Sequence, residues 1–541
     1  MTVEAQKRGV AQAQASQASE CRGRRQPTSL YNALMLSLLL SCTGAAVLPT
    51  VEQDPVESCV LVSDLEEPTW LEEGERLRFT LACSDRVPEA LIEILPISLP
   101  GEAEFDRESL EVSWTPGEDD AGAAEFLFSL RVPGQEIPSS YGFDAYVMAD
   151  EDSSPDPERY TQEWGLPVFH LSVFGELTQT DKDAQVTFDG VEYPAEAKIR
   201  GASSAAYPKP SYTIEFPEEE LNTKEQWGKK RNHLILLSTF DDNSYVRQKL
   251  IYDQWAAMAE YWGESRLTPR TFFCVLYING DYQGLYVALD RPDDEFIRHM
   301  GMDDSGNLFK AVNHDASFYS VDYYGNPKGD LAAGYDKKEG LPEDDYDDLR
   351  ELVSFTASSN ANQLSNTFEE WGPQGEFMDW FLLVYYSLSE DSAGKNSYLY
   401  HNPESDRWRY IPWDFNHAWG QNWYTLRTDP SSLNTFQSRN RIFWAFQSSA
   451  AASETLWERY AQMRADGPLH PDWIKGQLDD YYALIQPAAE KDWDHWGREY
   501  ETYGYWANAR SGTWQDYEGE KDYLYDWVEE RAEVMDREHG D

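Results

Sequence analysis

The sequence predicts a small all-β sandwich followed by a larger α+β domain. Between residues 57 and 148, short segments of alternating apolar and polar residues are separated by proline and glycine turns, as in sandwiches. After residue 161, similar segments mix with apolar runs at helical spacing. We therefore expect two domains, 57–148 and 161–541, joined by an acidic, proline-bearing linker at 149–160.

Residues 1–56 are predicted to be an export leader and tether. Arginines at positions 22, 24 and 25 precede a short apolar run that ends at Cys42, which fits a signal peptide. The ending Leu-Leu-Ser-Cys at 39–42 resembles a bacterial lipobox, in which Cys42 becomes the lipidated first residue. Ordinary cleavage between Ser41 and Ala46 is the alternative. Either reading places the protein outside the cytoplasm, as an envelope lipoprotein or a secreted protein, with membrane contact only through the lipid.

After such cleavage, three cysteines remain. Cys59 and Cys83 lie in one small region, so in an oxidising compartment we expect them to pair. Cys274 is far away in the chain and is expected to be a buried free thiol.

The sandwich is predicted from strands at 76–81, 90–95 and 124–130. Between the last two, Trp114-Thr115-Pro116 followed by Ala121-Gly122 resembles the pattern of bacterial immunoglobulin-like domains. A tryptophan is large enough to form the centre of a small two-sheet core. The expected function is a spacer, with a specific adhesin as the alternative.

The charge of the chain restricts its partners. There are 97 acidic and 45 basic residues among 541, a net charge of −52. Nucleic acid is therefore excluded as an expected partner, because phosphate binding needs basic patches. Basic protein substrates would be attracted. An acidic surface that only keeps the protein soluble is the alternative explanation.

A group of acidic residues in the second half has the spacing used in phosphoryl transfer. Asp391 is followed five positions later by Asn396, and Asp414 follows an apolar strand. In kinases the first Asp accepts the hydroxyl proton, while the Asn and the second Asp hold Mg²⁺. The apolar run at 378–388 predicts a core helix, and 397–413 predicts a hairpin that brings the three side chains to one mouth. Alternatively, they only cap turns.

The surrounding segments carry a family resemblance, which extends from Gly165 to Asn416. Its motifs, in order, are Arg-Gly-Ala-Ser-Ser at 200–204, Pro-Lys-Pro at 208–210, Asp-Asp-Asn-Ser-Tyr-Val-Arg at 241–247, Tyr-Ile-Asn-Gly-Asp-Tyr-Gln-Gly-Leu-Tyr at 277–286, and Pro-Trp-Asp at 412–414. They resemble the CotH family, the spore coat protein H kinases, an atypical branch of the protein-kinase-like fold. The resemblance implies an atypical kinase-like α+β domain at 161–541.

The resemblance also implies roles for individual residues. Asp391 would be the catalytic base, and Asn396 and Asp414 the metal ligands. Arg200 and Lys209 are candidates for contacting the phosphates of ATP, beside a loop of small residues. Lys310 is a weaker candidate. The expected activity is transfer of the γ-phosphoryl group of ATP, with Mg²⁺ or Mn²⁺, to Ser or Thr of a protein.

Two positions depart from the family pattern. Asn416 stands where the family usually has a second acid, and Asp290 stands where it usually has Glu. The alternative function is therefore a catalytically inactive surface protein that uses the kinase-like domain as a binding scaffold. His417, beside Asn416, is expected to be a satisfied core histidine. A glycoside hydrolase with paired carboxylates is a third, more distant alternative.

Overall fold

The computed structural model describes residues 60–540 except 66, 85–92, 132–138 and 504–515. The predicted leader, including Cys42, and Cys59 lie outside the described residues. Residues Glu57–Asp541 belong to one compact unit. Within the described residues, none of the helices has the length and apolar character that crossing a membrane requires.

The N-terminal region is rich in strands and forms two four-stranded sheets. One sheet has the order β1-β3-β6-β5 and the other β2-β8-β7-β4. The strands are β1 (Leu61–Ser63), β2 (Thr69–Glu72), β3 (Leu77–Cys83), β4 (Glu93–Ser98), β5 (Glu104–Phe105), β6 (Glu111–Trp114), β7 (Gly122–Arg131) and β8 (Ser139–Met148).

The two sheets share one apolar core. In β7, buried residues alternate with more exposed ones, because successive side chains point to opposite faces. Trp114 is buried as predicted, packs edge-on against Phe126, and donates its indole N–H to the carbonyl of Gly101 at 2.9 Å. The strands predicted at 76–81 and 124–130 correspond to β3 and β7, and β4 overlaps the third at residues 93–95, since residues 90–92 are not among those described. The immunoglobulin-like character of the domain stays a prediction.

The cysteines agree with an oxidised N-terminal region. Cys83 is disulfide-bonded. Its predicted partner, Cys59, is not among the described residues, so that pairing stays a prediction. Cys274 is a buried free thiol, which confirms the expectation.

The predicted linker is irregular in structure but packed at both ends. Ala149 and Tyr160 are buried in the main core. The Tyr160 hydroxyl accepts the backbone N–H of Ala149 at 3.1 Å and donates to Glu163 at 2.7 Å. The segment therefore connects the sandwich to the next domain through fixed contacts.

The next domain begins with a closed barrel of seven strands, in the order β11-β12-β13-β14-β16-β15-β10, with β10 pairing back to β11. A short strand, β9, extends it beside β10. The strands are β9 (Gln162–Glu163), β10 (Leu166–Val173), β11 (Lys182–Phe188), β12 (Val191–Arg200), β13 (Ser211–Glu215), β14 (His233–Leu237), β15 (Thr271–Ile278) and β16 (Asp281–Asp290).

The barrel has two apolar faces. Alternate residues of all seven strands, among them Phe169, Ile214 and Cys274, fill its interior. Outward residues such as Val275 and Val287 belong instead to the large core that contains the helices. The barrel strands that pack against the helices are therefore apolar on both faces.

The helical half contains a second small sheet, in the order β18-β17-β19-β20. Its strands are β17 (Asn307–Ala311), β18 (Tyr335–Glu339), β19 (Ser397–Asn402) and β20 (Arg407–Pro412). The helices are α1 (Lys224–Trp227), α2 (Arg247–Trp262), α3 (Asp294–His299), α4 (Asp347–Ser358), α5 (Ala361–Thr367), α6 (Gln374–Ser387), α7 (Arg441–Ser448), α8 (Ala450–Asp466), α9 (Pro471–Thr502) and α10 (Tyr517–His539).

The predicted core helix is α6, which is buried from Glu376 to Ser387. The predicted hairpin is β19–β20. Residues 315–348 consist mostly of turns, but they include β18 and the start of α4.

One buried carboxylate ties α9 to the barrel. Asp492 accepts hydrogen bonds from the Lys209 ammonium, from the backbone N–H of Leu285 at 2.8 Å, and from the hydroxyls of Tyr245 and Tyr500 at 2.9 and 2.7 Å. The side chains of Lys209 and Asp492 are fully buried. A buried ion pair whose remaining lone pairs are satisfied tolerates burial, but it is costly to break.

We expect Asp492→Ala to lower the free energy of unfolding by about 3–5 kcal/mol, because it leaves the Lys209 ammonium buried without its counter-ion. Asp494→Ala, at an exposed position of the same helix, should change it by less than about 0.5 kcal/mol. Urea unfolding of both variants measures the difference. Equal midpoints would contradict the anchoring role of Asp492.

Candidate functional site

The antiparallel register of β19 and β20 brings two of the predicted site residues together. Ser397 pairs with Pro412, so Asn396, just before β19, and Asp414, just after β20, lie at the same end of the hairpin. The side-chain amide of Asn396 donates to the backbone carbonyl of Asp414 at 3.2 Å.

The backbone at this end is left-handed at three positions. Leu388, Asn396 and Asp414 have φ values of 53°, 57° and 58°. Asn and Asp tolerate this region better than most other residues, whereas for Leu388 it is an unusual conformation. Leu388 ends α6 in this way, and Asp391 follows in the short helical turn Glu390–Ala393.

The carboxylate of Asp391 is flanked by a lysine and a histidine. The Lys395 ammonium lies 3.0 Å from one of its oxygens, and Nε2 of His314 lies 3.7 Å from the other. The His314 ring stacks on Tyr323. Burial lowers the pKa of His314, and the charge of Asp391 opposes that effect. Sequence reasoning missed both flanking residues, although the position of Lys395 beside Asn396 was visible.

A small cavity of about 50 Å³ lies beside this end of the hairpin. Asp414 and Asn416 line it from the hairpin, and Arg200 lines it from the end of β12. The remaining wall comes from the barrel and the start of α2, through Ser204, Tyr207, Ser211, Leu237, Ser238, Thr239, Asp241, Asp242 and Gln248. Hydroxyl groups and charges of both signs therefore converge on one space.

Two predicted phosphate contacts, Arg200 and Lys310, lie at this cavity or beside it. The guanidinium of Arg200 and the ammonium of Lys310 lie 5.7 and 5.5 Å from the ring centre of Trp413. Burial and, after it, the positive charge of Arg200 lower the pKa of Lys310, Asp414 opposes both effects, and the resulting pKa is about 8. Two cations held together near a carboxylate form a region that an anion would stabilise.

Lys209 is not brought to this site. Its ammonium is fully buried in the contact with Asp492, and it also donates to the carbonyl of Leu285 at 2.7 Å. Burial lowers its pKa, and the ion pair opposes that effect. The structure therefore corrects the prediction that Lys209 contacts a phosphate, because its donors are used within the protein.

Asp241 is a site residue that sequence reasoning did not single out. Its carboxylate accepts the side-chain amide of Asn416 at 2.5 Å and lies 3.1 Å from Nε2 of His417. Burial would lower the pKa of His417, but the hydrogen bond to Asp241 and the carboxylates of Asp391 and Asp414 raise it. His417 is thus satisfied, as expected, yet it also lies within electrostatic reach of both predicted catalytic acids.

Asp290 takes part in a separate ion-pair network. It pairs with Arg231 at 2.8 Å and with Arg270 at 3.1 Å. Both of these ion-pair partners are arginines.

The end of the hairpin offers a small number of oxygen donors for a hard cation. Among the described residues, no three His, Cys, Asp or Glu side chains are grouped as a metal site. The Asp414 carboxylate and the Asn396 side-chain oxygen would supply two ligands. Mg²⁺ commonly takes one or two protein carboxylates and completes its shell with water and substrate phosphates. These two residues fit that kind of site.

The part of the chain that contains this site is similar to known proteins. The model of a family described as CotH kinase protein matches residues 197–535, more than half of the chain. The chain belongs to the CotH family. It is 26% identical over 269 residues to inner spore coat protein H of Bacillus subtilis (strain 168), covering 47% of this chain and 70% of that protein. The predicted family is thereby confirmed.

Two solved structures also match, over small parts. They are the endo-fucoidan hydrolase MfFcnA4 from glycoside hydrolase family 107, at 11% identity, and a variant of it, at 10%. Each match covers 28% of this chain and about a quarter of the other, with TM-scores of 0.12 and 0.13.

The lowered pKa of Lys310 gives a pH-dependent prediction. Its pKa of about 8 lies below the ordinary value of 10.5, so the charged form costs stability below pH 8, and the cost fades as the pH rises to 10.5. Lys310→Met should therefore raise the free energy of unfolding by about 1–2 kcal/mol at pH 7 and by little at pH 10.5.

Urea unfolding at the two pH values measures this. Lys224→Met, at an exposed position of α1, serves as the control and should show no such pH dependence. A Lys310→Met effect of equal size at both pH values would contradict the assigned pKa.

Proposed function

We propose that this CotH-family protein is a kinase that transfers the γ-phosphoryl group of ATP to a Ser or Thr hydroxyl of a protein. The observation that carries the proposal is the meeting of Asn396 and Asp414 at one end of the hairpin. Asp391 is near enough that its charge and that of Asp414 both raise the pKa of His417. The helical half behind this site and the barrel in front of it would correspond to the two lobes of a kinase-like fold.

In the proposed reaction, the Asp391 carboxylate accepts the proton of the acceptor hydroxyl. The freed oxygen forms a bond to the γ-phosphorus, and the bond between that phosphorus and the β,γ-bridging oxygen breaks, so that ADP leaves with the electron pair. Arg200 and Lys310 would hold the phosphates by charge. A divalent cation bound by Asn396 and Asp414 would supply neutralisation of phosphate charge.

The overall charge of the chain favours a basic protein as the acceptor. A net charge of −52 attracts cationic partners at long range. It also repels ATP, which is consistent with a requirement for a divalent cation at the site. The extracytoplasmic location that we propose is supported by the disulfide at Cys83, since disulfides persist in oxidising compartments.

The small size of the cavity lined by Arg200, Asp414 and Asn416 favours a second candidate, a surface binding protein without catalysis. About 50 Å³ is far below the roughly 300–1,000 Å³ of pockets that enclose a whole cofactor. The cavity has room for a phosphate group, and the nucleoside would have to lie outside it.

Three isosteric substitutions in and beside the hairpin separate the two candidates. Transfer of labelled γ-phosphate to the protein itself or to an added basic protein should fall by at least about 100-fold in Asp391→Asn and Asp414→Asn. Asp406→Asn, at the exposed hairpin turn, should keep full activity. If the unmodified full chain transfers no phosphate with either Mg²⁺ or Mn²⁺, the kinase proposal is contradicted and the second candidate, the binding protein, is favoured.

A further inference from the structure

One face of the C-terminal helix α10 binds the backbone of the segment that follows the hairpin. Three side chains with hydrogen-bond donors are spaced four residues apart and therefore share this face: Tyr523, Trp527 and Arg531. The hydroxyl of Tyr523 donates to the carbonyl of Gly420 at 2.8 Å. The indole N–H of Trp527 donates to the carbonyl of Thr428 at 2.9 Å. The helix therefore fixes the path of this segment through its carbonyl groups.

Arg531 joins the same segment to the end of helix α6. One terminal nitrogen of its guanidinium donates to the carbonyls of Pro430 and Ser432 at 2.8 and 2.6 Å. The other terminal nitrogen and Nε donate to the carbonyls of Tyr385 and Tyr386 at 2.6 and 3.1 Å. The planar fork of an arginine can donate in several fixed directions, whereas a lysine ammonium is a compact point charge. A single guanidinium therefore connects two segments that are distant in the chain.

The contacts with α6 satisfy carbonyl groups that the helix itself leaves free. The last carbonyls of a helix have no intrahelical N–H donor. Arg531 binds those of Tyr385 and Tyr386, and the positive charge also stabilises the helix dipole at this end. The next carbonyl, that of Ser387, accepts the backbone N–H of Trp419 at 2.9 Å. The end of α6 is therefore held by other parts of the chain.

The charge of Arg531 depends on these carbonyl groups. Its side chain is fully buried, and burial lowers its pKa. Within the part of the chain that the structure describes, its hydrogen bonds go to carbonyl oxygens and not to a carboxylate. A buried charge is tolerated only where hydrogen bonds satisfy it. The guanidinium and the two segments that it joins therefore hold one another in place.

Both of these segments border the predicted catalytic base. Leu388 ends α6, and Asp391 follows in the turn Glu390–Ala393. Leu388, Asp391 and Ser432 line one cavity of about 290 Å³. The contacts of Arg531 therefore lie on Ser432 itself and within three residues of Leu388, on two sides of the space around Asp391.

We propose that Arg531 is a positioning residue for phosphoryl transfer. It holds the end of α6 against residues 430–432 and thereby keeps Asp391 where its carboxylate accepts the proton of the acceptor hydroxyl. The proposal rests on the kinase function above. None of the four hydrogen bonds of the guanidinium involves a proposed metal ligand or phosphate contact, so their loss should slow transfer and leave the binding of ATP and metal nearly unchanged.

Arg531→Lys in the full chain tests this role, because it keeps the positive charge and removes the fork. We expect kcat for transfer of labelled γ-phosphate to fall by about tenfold or more, while the KM for ATP and the affinity for Mn²⁺ change by less than about twofold. Amide hydrogen exchange of residues 388–393, measured by mass spectrometry, should become faster by about tenfold, because the turn opens locally more often.

The control for general destabilisation is Leu524→Ala, since Leu524 is fully buried on the same helix, two turns before Arg531. It should lower the urea midpoint of unfolding and leave both kcat and the exchange of residues 388–393 within about twofold of the unmodified chain. An unchanged kcat in Arg531→Lys, or an equal fall in Leu524→Ala, would overturn the positioning role.

The exchange measurement separates this proposal from the kinase function. If the unmodified chain transfers no phosphate, the kinase function is contradicted and the catalytic role of Arg531 with it. Faster exchange of residues 388–393 in Arg531→Lys alone would then still support the hold of Arg531 on the turn, and unchanged exchange would overturn that hold as well.

Discussion

The pairing of Ser397 with Pro412 is the constraint on which the candidate site depends. A shift of one residue in this register would move every side chain of the hairpin to the opposite face. The register is fixed because β19 lies between β17 and β20, and because the large aromatic residues Tyr410 and Trp408 are buried on β20. Packing far from the mouth therefore determines where Asn396 and Asp414 meet.

The charge distribution at the candidate site depends on which charged side chains form ion pairs or hydrogen bonds within the protein. Asp391 is flanked by Lys395 and His314, and Asp241 is taken up by Asn416 and His417. Arg200 and Lys310 share the face of Trp413 and repel each other, which helps to lower the pKa of Lys310. An incoming phosphate would relieve that repulsion, so the same contacts that cost stability in the free protein would favour binding.

Local patterns were sufficient to predict the parts of the site that depend on neighbouring residues. The core helix α6, the β19–β20 hairpin and the strands around Trp114 were predicted from periodicity and turn residues, and the structure has all of them. The closure of the barrel by pairing of β10 with β11 was not predicted. Strand pairing depends on contacts between segments that are distant in the chain, which local alternation does not indicate.

Long-range partners explain why the burial of Lys209 was not predicted. Lys209 has motif neighbours that suggest a phosphate contact, but its partner Asp492 lies 283 residues away, and nothing in the local pattern indicates burial. Lys310 lies in an ordinary strand, and its position beside Trp413 follows only from the pairing of β17 with β19 and β20. Asp241 was missed for the same reason, since its contacts come from residues about 175 positions later.

We propose that the end of the hairpin where Asn396 and Asp414 meet binds a divalent cation together with the phosphates of ATP. Electron paramagnetic resonance of Mn²⁺ tests it most directly, because the signal of free Mn²⁺ disappears on binding. We expect the full chain together with ATP to remove more of the free Mn²⁺ signal than ATP alone does, and Asp414→Asn to abolish this difference. If Asp414→Asn gives the same titration as the unmodified chain, the hairpin end does not bind the cation as proposed.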